Sequence, residues 1–170
     1  GSTQVTGIHQ VAYWRLRQVL GLPEVEPQVC DVIQGLALPD ADVIERLGVD
    51  VRGLYPLNSH NWQVVEQPQG EYWIYLDEWG ITHRKPRTED GSPSSGLYYS
   101  IWREPLNHPE LTAADIARHP WPKFDDPQRI AGLRQLAEGY RTDGYAVVLK
   151  DPFAGLFEMG QRLVGMENLM

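Results

Sequence analysis

An α/β fold is what this sequence predicts, on three observations. The first is a strand-loop-helix unit in residues 143–170. Gly144-Tyr145-Ala146-Val147-Val148-Leu149 is a short apolar run bounded by turn residues, which marks a buried strand. Lys150-Asp151-Pro152 ends it, because proline has no N–H to give a sheet ladder. Leu156, Met159, Leu163, Met166 and Met170 then recur at helical spacing. The second is another strand, Val49-Asp50-Val51-Arg52-Gly53-Leu54-Tyr55, weakened by its internal glycine. A long crossover containing helices separates 50–55 from 145–149, as parallel pairing requires, so the two strands are expected side by side. The third is the helical recurrence of Ile8, Val11, Ala12, Leu16, Val19 and Leu20 at the amino end.

The remaining elements follow in order. Gly21 and Pro23 stop the first helix. Val29, Val32, Ile33 and Leu36 predict a second, shorter helix. Asp40 is the N-cap of a third, with Val43 and Leu47 inward and Gly48 ending it. Tyr72-Trp73-Ile74-Tyr75-Leu76 and Leu97-Tyr98-Tyr99-Ser100-Ile101-Trp102 are aromatic, β-branched runs joined by a Gly/Pro/Ser-rich loop. They predict one hairpin, inserted at 70–105. Thr112 with Asp115 makes a capping-box pair, Leu111 can staple onto Ile116, and His119-Pro120-Trp121-Pro122 breaks that helix early. Asp126 as N-cap and Pro127 at the first helical position open the next, with Ile130, Leu133, Ala137 and Tyr140 on its buried face.

A chain of 170 residues with 42% hydrophobic residues can bury one ordinary core, and no internal repeat divides it. Lys and Arg number 15 against 23 Asp and Glu, a net charge of −8, which argues against a general nucleic-acid surface. Arg84-Lys85-Pro86-Arg87 is the densest basic patch, and Glu89-Asp90 follow it. The lone Cys30 excludes an internal disulfide and a cysteine-based zinc site, and favours a reducing, cytoplasmic setting. No run approaches the ~20 apolar residues that span a bilayer. The chain starts without Met and stops inside an amphipathic pattern, so a piece of a longer protein is expected.

Phosphate-loop, His-Glu-x-x-His and Gly-x-Ser-x-Gly signatures are absent. The five histidines have no spacing that suggests a metal, and each reads as solvated or satisfied in the core. Asp77 and Glu78 close the first hairpin strand. Neighbours on a strand face opposite ways, so one can enter a cavity while the other is solvated.

Several stretches in order carry a resemblance. They are Leu47-Gly48-Val49-Asp50-Val51-Arg52, Asp77-Glu78-Trp79-Gly80, Pro105-Leu106, His119-Pro120-Trp121-Pro122, Asp125-Asp126 and Gly155-Leu156-Phe157-Glu158, with Leu163, Gly165 and Met166-Glu167. Together they resemble the uroporphyrinogen decarboxylase-like superfamily, over nearly the whole chain. The resemblance implies a (β/α)8 TIM-type barrel. The chain would be a single, incomplete domain over 1–170, the amino-proximal segment of that barrel, with leading helices and the inserted aromatic hairpin. It further implies decarboxylation of a tetrapyrrole or transfer of a corrinoid-linked methyl group. Two departures stand out. The first strand ends Leu54-Tyr55-Pro56-Leu57 where the decarboxylase has an aspartate, and Phe157-Glu158-Met159 stands where it has a tyrosine.

On this reading Glu158 is the catalytic acid/base, and Arg52, Tyr55, Trp79, Phe153 and Phe157 bind substrate. The plain alternative for each is a surface ion pair or core packing. The loop 150–155 and the end of the first strand would face one cavity. No cofactor is expected in this segment, zinc entering only in a full-length methyltransferase. Partners would be a small-molecule tetrapyrrole, a corrinoid protein or a second copy of the chain, with no nucleic acid and no membrane. A competing reading is a non-catalytic binding or assembly domain, with Trp73, Trp79, Tyr99 and Trp102 of the hairpin as anchors.

Overall fold

The computed structural model describes residues 7–60, 62–87, 98–150 and 155–170, and the fold is mixed α/β. The chain forms two compact units, one of Gly1–Pro56 with Ile130–Lys150, the other of Leu57–Arg129 with Asp151–Met170.

The first unit opens with helix α1, Gln10–Val19. Gly21, at φ 67°, takes the left-handed turn that ends it. Tyr13, Ala37 and Val43 form the core, packed by Ile8, Leu16, Leu20 and Leu22. The segment expected to be a second helix is instead an antiparallel hairpin of β1, Val29–Asp31, and β2, Leu36–Ala37. Asp31 is the reason: its Oδ1 accepts the Gln34 N–H at 2.9 Å, and Gly35 at φ 61° completes the turn. Helix α2, Ala41–Arg46, starts at Asp40 as expected, but the Asp40 side chain makes no cap bond. It accepts from the Tyr13 hydroxyl at 2.7 Å and from Arg17 at 2.9 Å instead.

Strand β3, Val51–Leu54, pairs in parallel with the late strand β8, Ala146–Leu149, as expected, with Val51 opposite Ala146 and Leu54 opposite Leu149. Helix α4, Leu133–Thr142, packs on both strands. It begins at Gly132, at φ 74°, and not at Asp126. Pro127–Ile130 forms a separate 3-10 turn whose Gln128 N–H bonds to Asp126. The parallel sheet has these two strands, and no closed barrel forms among the described residues.

The second unit holds a four-stranded antiparallel sheet in the order β4, Gln67–Gln69; β5, Tyr72–Leu76; β6, Thr82–Pro86; β7, Ser100–Arg103. The two aromatic runs are therefore not partners, because β6 lies between them. The turn that admits β6 is built by Asp77. Its Oδ1 accepts from the Trp79 and Ile81 amides, both at 2.9 Å, and Gly80 adopts φ 80°. Helix α3, Ala113–Arg118, carries the expected capping box of Thr112 and Asp115. Helix α5, Leu156–Leu169, buries Met159 and Leu163 against Ile81, with Trp79 and Val164 beside them. Gly165, at φ 76°, kinks α5, and the Leu163 carbonyl accepts the Leu106 amide at 2.9 Å. Among the described residues no helix is long and apolar enough to cross a membrane.

Candidate functional site

Parallel strands end on the same side, and ligands of open α/β sheets gather at those carboxyl ends. In the first unit the residues there are Tyr55, just past β3, and Lys150, just past β8. The Lys150 amide donates to the Leu54 carbonyl at 2.8 Å, which fixes the two ends together. The Lys150 ammonium reaches the Cys30 carbonyl at 3.3 Å and lies 5.9 Å above the Tyr55 ring. Burial raises the Tyr55 phenol above its ordinary range, and the nearby Cys30 adds to the effect. Burial likewise pushes the Cys30 thiol up, with Lys150 opposing. The group therefore presents one cation, a protonated phenol and a protonated thiol. A carboxylate is the natural counter-ion for such an end.

Arg52 does not join them. It is 8% exposed, and its Nη1 donates to the carbonyls of Val49 at 2.5 Å and Val51 at 3.2 Å. Its guanidinium stacks 3.6 Å from the centre of the Tyr145 ring. Val49 and Tyr145 both precede their strands, so Arg52 clamps the amino ends of the pair while Tyr55 stands at the carboxyl ends.

Three of the other expected site residues belong to the second unit. Glu158, half exposed, forms an ion pair with Arg162 one turn on, with Arg162 Nε donating at 3.1 Å. Phe157 is 63% exposed. Trp79 sits in the apolar cluster of α5, with Phe124 and Trp121 ring centres at 5.2 and 6.3 Å. Its carbonyl is 2.9 Å from His119 Nε2. Phe153 and most of the 150–155 loop lie outside the described residues.

The second unit also gathers acid–base pairs that the sequence does not announce. Asp77 and Glu78 lie in the turn after β5, not on the strand, and neither is solvated. Asp77 Oδ2 is 2.8 Å from Nε2 of the fully buried His83, which stacks on Tyr75 at 4.7 Å. Glu78 pairs with the buried Arg129, whose Nε also donates to the Lys123 carbonyl at 2.8 Å. Asp126 pairs with His60, Nδ1 to Oδ2 at 2.6 Å. Tyr99 donates to Glu66, which Lys85 approaches at 3.3 Å, and burial drives the Tyr99 phenol far above its ordinary range. The Gly80 turn is the one sequence signal for the Asp77–His83 pair, since it folds β6 back along β5.

The hairpin anchors do not form one exposed patch. Tyr99 is buried, while Trp73, Trp79 and Trp102 are half-buried. Arg87 covers Trp73, and Arg84 and Arg103 flank Trp102. Among the described residues no three His, Cys, Asp or Glu side chains converge as a metal site would require. No protein-family model, curated protein or solved structure matches the chain.

Proposed function

We propose that this chain supplies strands of a uroporphyrinogen decarboxylase-like barrel and acts on a tetrapyrrole or a corrinoid-linked methyl substrate bound at the carboxyl ends of β3 and β8. The observation that carries the reading is the in-register parallel pairing of these strands with Tyr55 and Lys150 at their ends. A second observation supports the partial barrel. Parallel sheets are ordinarily covered on both faces, yet Leu149 of β8 is 59% exposed and Val148 is 39% exposed. The helices and facing strands of further strand-helix units would cover the two faces to which these neighbouring residues point.

In this reading Lys150 meets a substrate carboxylate and the Tyr55 hydroxyl donates to a carboxylate or pyrrole-side acceptor. Arg52 holds the opposite ends of the strands together. Non-catalytic docking through the aromatic hairpin draws less support, because its rings are engaged internally. Fluorescence titration with uroporphyrin, coproporphyrin and aquocobalamin tests the proposal. Lys150→Ala is expected to weaken porphyrin binding about tenfold or more, the size of a charge-assisted hydrogen bond of about 1.5–3 kcal/mol. No binding of any of the three by the wild-type chain overturns it.

A further inference from the structure

The outward face of the four-stranded sheet carries two rows of side chains, and each row ends in an arginine. Residues directly opposite one another on neighbouring strands share a face. The first row runs Gln67, Ile74, Arg84 across β4, β5 and β6. The second runs Leu76, Thr82, Arg103 across β5, β6 and β7. Ile74 and Leu76 stand two positions apart on β5, so both rows lie on one face. Tyr75, His83 and Lys85 alternate with them and are buried on the other. A register shift between Thr82 and His83 gives β7 one extra residue, Trp102. Its ring centre lies 5.5 Å from the Arg84 guanidinium and 4.5 Å from that of Arg103, between the ends of the two rows.

The other ends of the rows floor a cleft. Gln67, Ile74, Leu76 and Thr82 line it from the sheet, and Trp62 and Gln63 line it from the segment before β4. The Trp62 amide donates to the Ser59 carbonyl at 3.0 Å and anchors that wall. The cleft holds about 270 Å³, room for one small ring, and no charged residue lines it. An indole offers an apolar face, while the two amides and the Thr82 hydroxyl both donate and accept. Among the described residues none of these three polar side chains has a hydrogen-bond partner.

The two arginines at the far ends of the rows are unspent. Arg84 stacks over Tyr72 at 4.7 Å, and both guanidiniums flank Trp102. Stacking occupies the flat face of a guanidinium and leaves its N–H edge for an anion. Among the described residues no carboxylate pairs with either one. Glu66, Asp77 and Glu78, which border the sheet, are committed to Lys85, His83 and Arg129.

We propose that this face binds a sugar phosphate, with the sugar ring in the Trp62 cleft and the phosphate on the edges of Arg84 and Arg103. The C–H face of the ring lies on Trp62, and its hydroxyls bond to Gln63, Gln67 and Thr82. Arg84 is the direct neighbour of Ile74, and Arg103 of Thr82. Each arginine therefore stands one strand spacing, about 4.8 Å, from a residue of the cleft. A phosphate ester stands off its sugar ring by a similar distance. Two guanidiniums beside one another suit a doubly charged phosphate. The site lies wholly in the second unit and is independent of tetrapyrrole binding at β3 and β8.

Titrations of the wild-type chain with glucose 6-phosphate, glucose and inorganic phosphate, followed by 1H–15N NMR at pH 7.5, test it. Glucose 6-phosphate is expected to saturate, to shift amides within 62–67, 74–76 and 82–84, and to bind at least tenfold tighter than glucose or phosphate alone. Arg103→Gln, an exposed change, should weaken glucose 6-phosphate at least tenfold and leave glucose unaffected. Thr82→Val should weaken glucose 6-phosphate and glucose alike and leave phosphate unaffected. The spectrum of each free variant shows that it is folded. No saturable binding of glucose 6-phosphate, or shifts confined to other residues, overturns the proposal. Phosphate binding as tightly as glucose 6-phosphate overturns the role of the cleft. Glucose binding as tightly, or an unchanged affinity in Arg103→Gln, overturns the role of the arginines.

Discussion

Tyr13 shows at the residue scale how a buried polar group fixes a fold. Its hydroxyl donates to Asp40 Oδ2 and accepts the Asp40 amide, each at 2.7 Å, while its ring is fully buried. Arg17, also buried, spends its donors on Asp40, Asp42 and the Pro23 carbonyl. Asp42 is accordingly held below the usual carboxylate range, chiefly by Arg17. Tyr13→Phe keeps the ring and leaves the Asp40 amide without this partner. A loss of about 1–3 kcal/mol is expected, read as a lower urea midpoint at constant slope. None of this was legible in the sequence. Tyr13 and Asp40 are 27 residues apart, and only the packing of α1 against the start of α2 brings them together.

At the scale of elements, local signals were reliable where the chemistry was local. The Thr112–Asp115 capping box is one case. The Thr112 hydroxyl and Arg118 hold the Asp115 carboxyl at about 2. A folded-state value below the unfolded one, about 3.9, contributes stability above pH 4 that is lost as pH falls through about 2. Thr112→Ala should therefore speed amide exchange at Ile116 and His119 at pH 6, by an amount equivalent to about 0.5–2 kcal/mol. That difference should shrink between pH 4 and pH 2, and a constant difference would contradict the box. Gly165 is a second case. A Cβ there meets Asn107 Nδ2 at 2.6 Å, and the backbone sits at φ 76°. Gly165→Ala is expected to cost about 1–2 kcal/mol from the left-handed conformation alone. It also displaces Asn107 from its 3.1 Å bond with Asn168. Thermal denaturation should show a lower midpoint, and an unchanged midpoint would mean that α5 straightens at no cost.

For the molecule as a whole, the exposed apolar strand is the feature with consequences. Val148 and Leu149 on β8 stand where a covered parallel sheet would bury them. Sedimentation velocity is expected to find mass rising with concentration. Val148→Thr with Leu149→Lys should weaken that self-association about tenfold or more, since one buried leucine is worth about 1.5–3 kcal/mol. A monomer at every concentration would show that β8 needs no cover.

By itself the sequence determined α1, α2 from its Asp40 start, the short α3 with its box, the amphipathic α5 and the strands β3, β5, β7 and β8. In each, the pattern of apolar residues and the capping or breaking residue lie within a few positions of one another. Tertiary structure decided the rest. The hairpin β1–β2 displaced a helical pattern because one Asp31 bond and Gly35 made a turn. Strand β6 reads as polar, Thr-His-Arg-Lys-Pro, and was hidden because His83 is buried against Tyr75 and Asp77, and Lys85 against Tyr99 and Glu66. Of the expected site, Tyr55 was placed by strand logic, with Lys150 found beside it at the paired ends. Arg52 faced the other end, since a guanidinium follows the carbonyls and ring within its reach and not the strand direction. The His60–Asp126 pair spans 66 residues, and no local pattern encodes a contact at that separation.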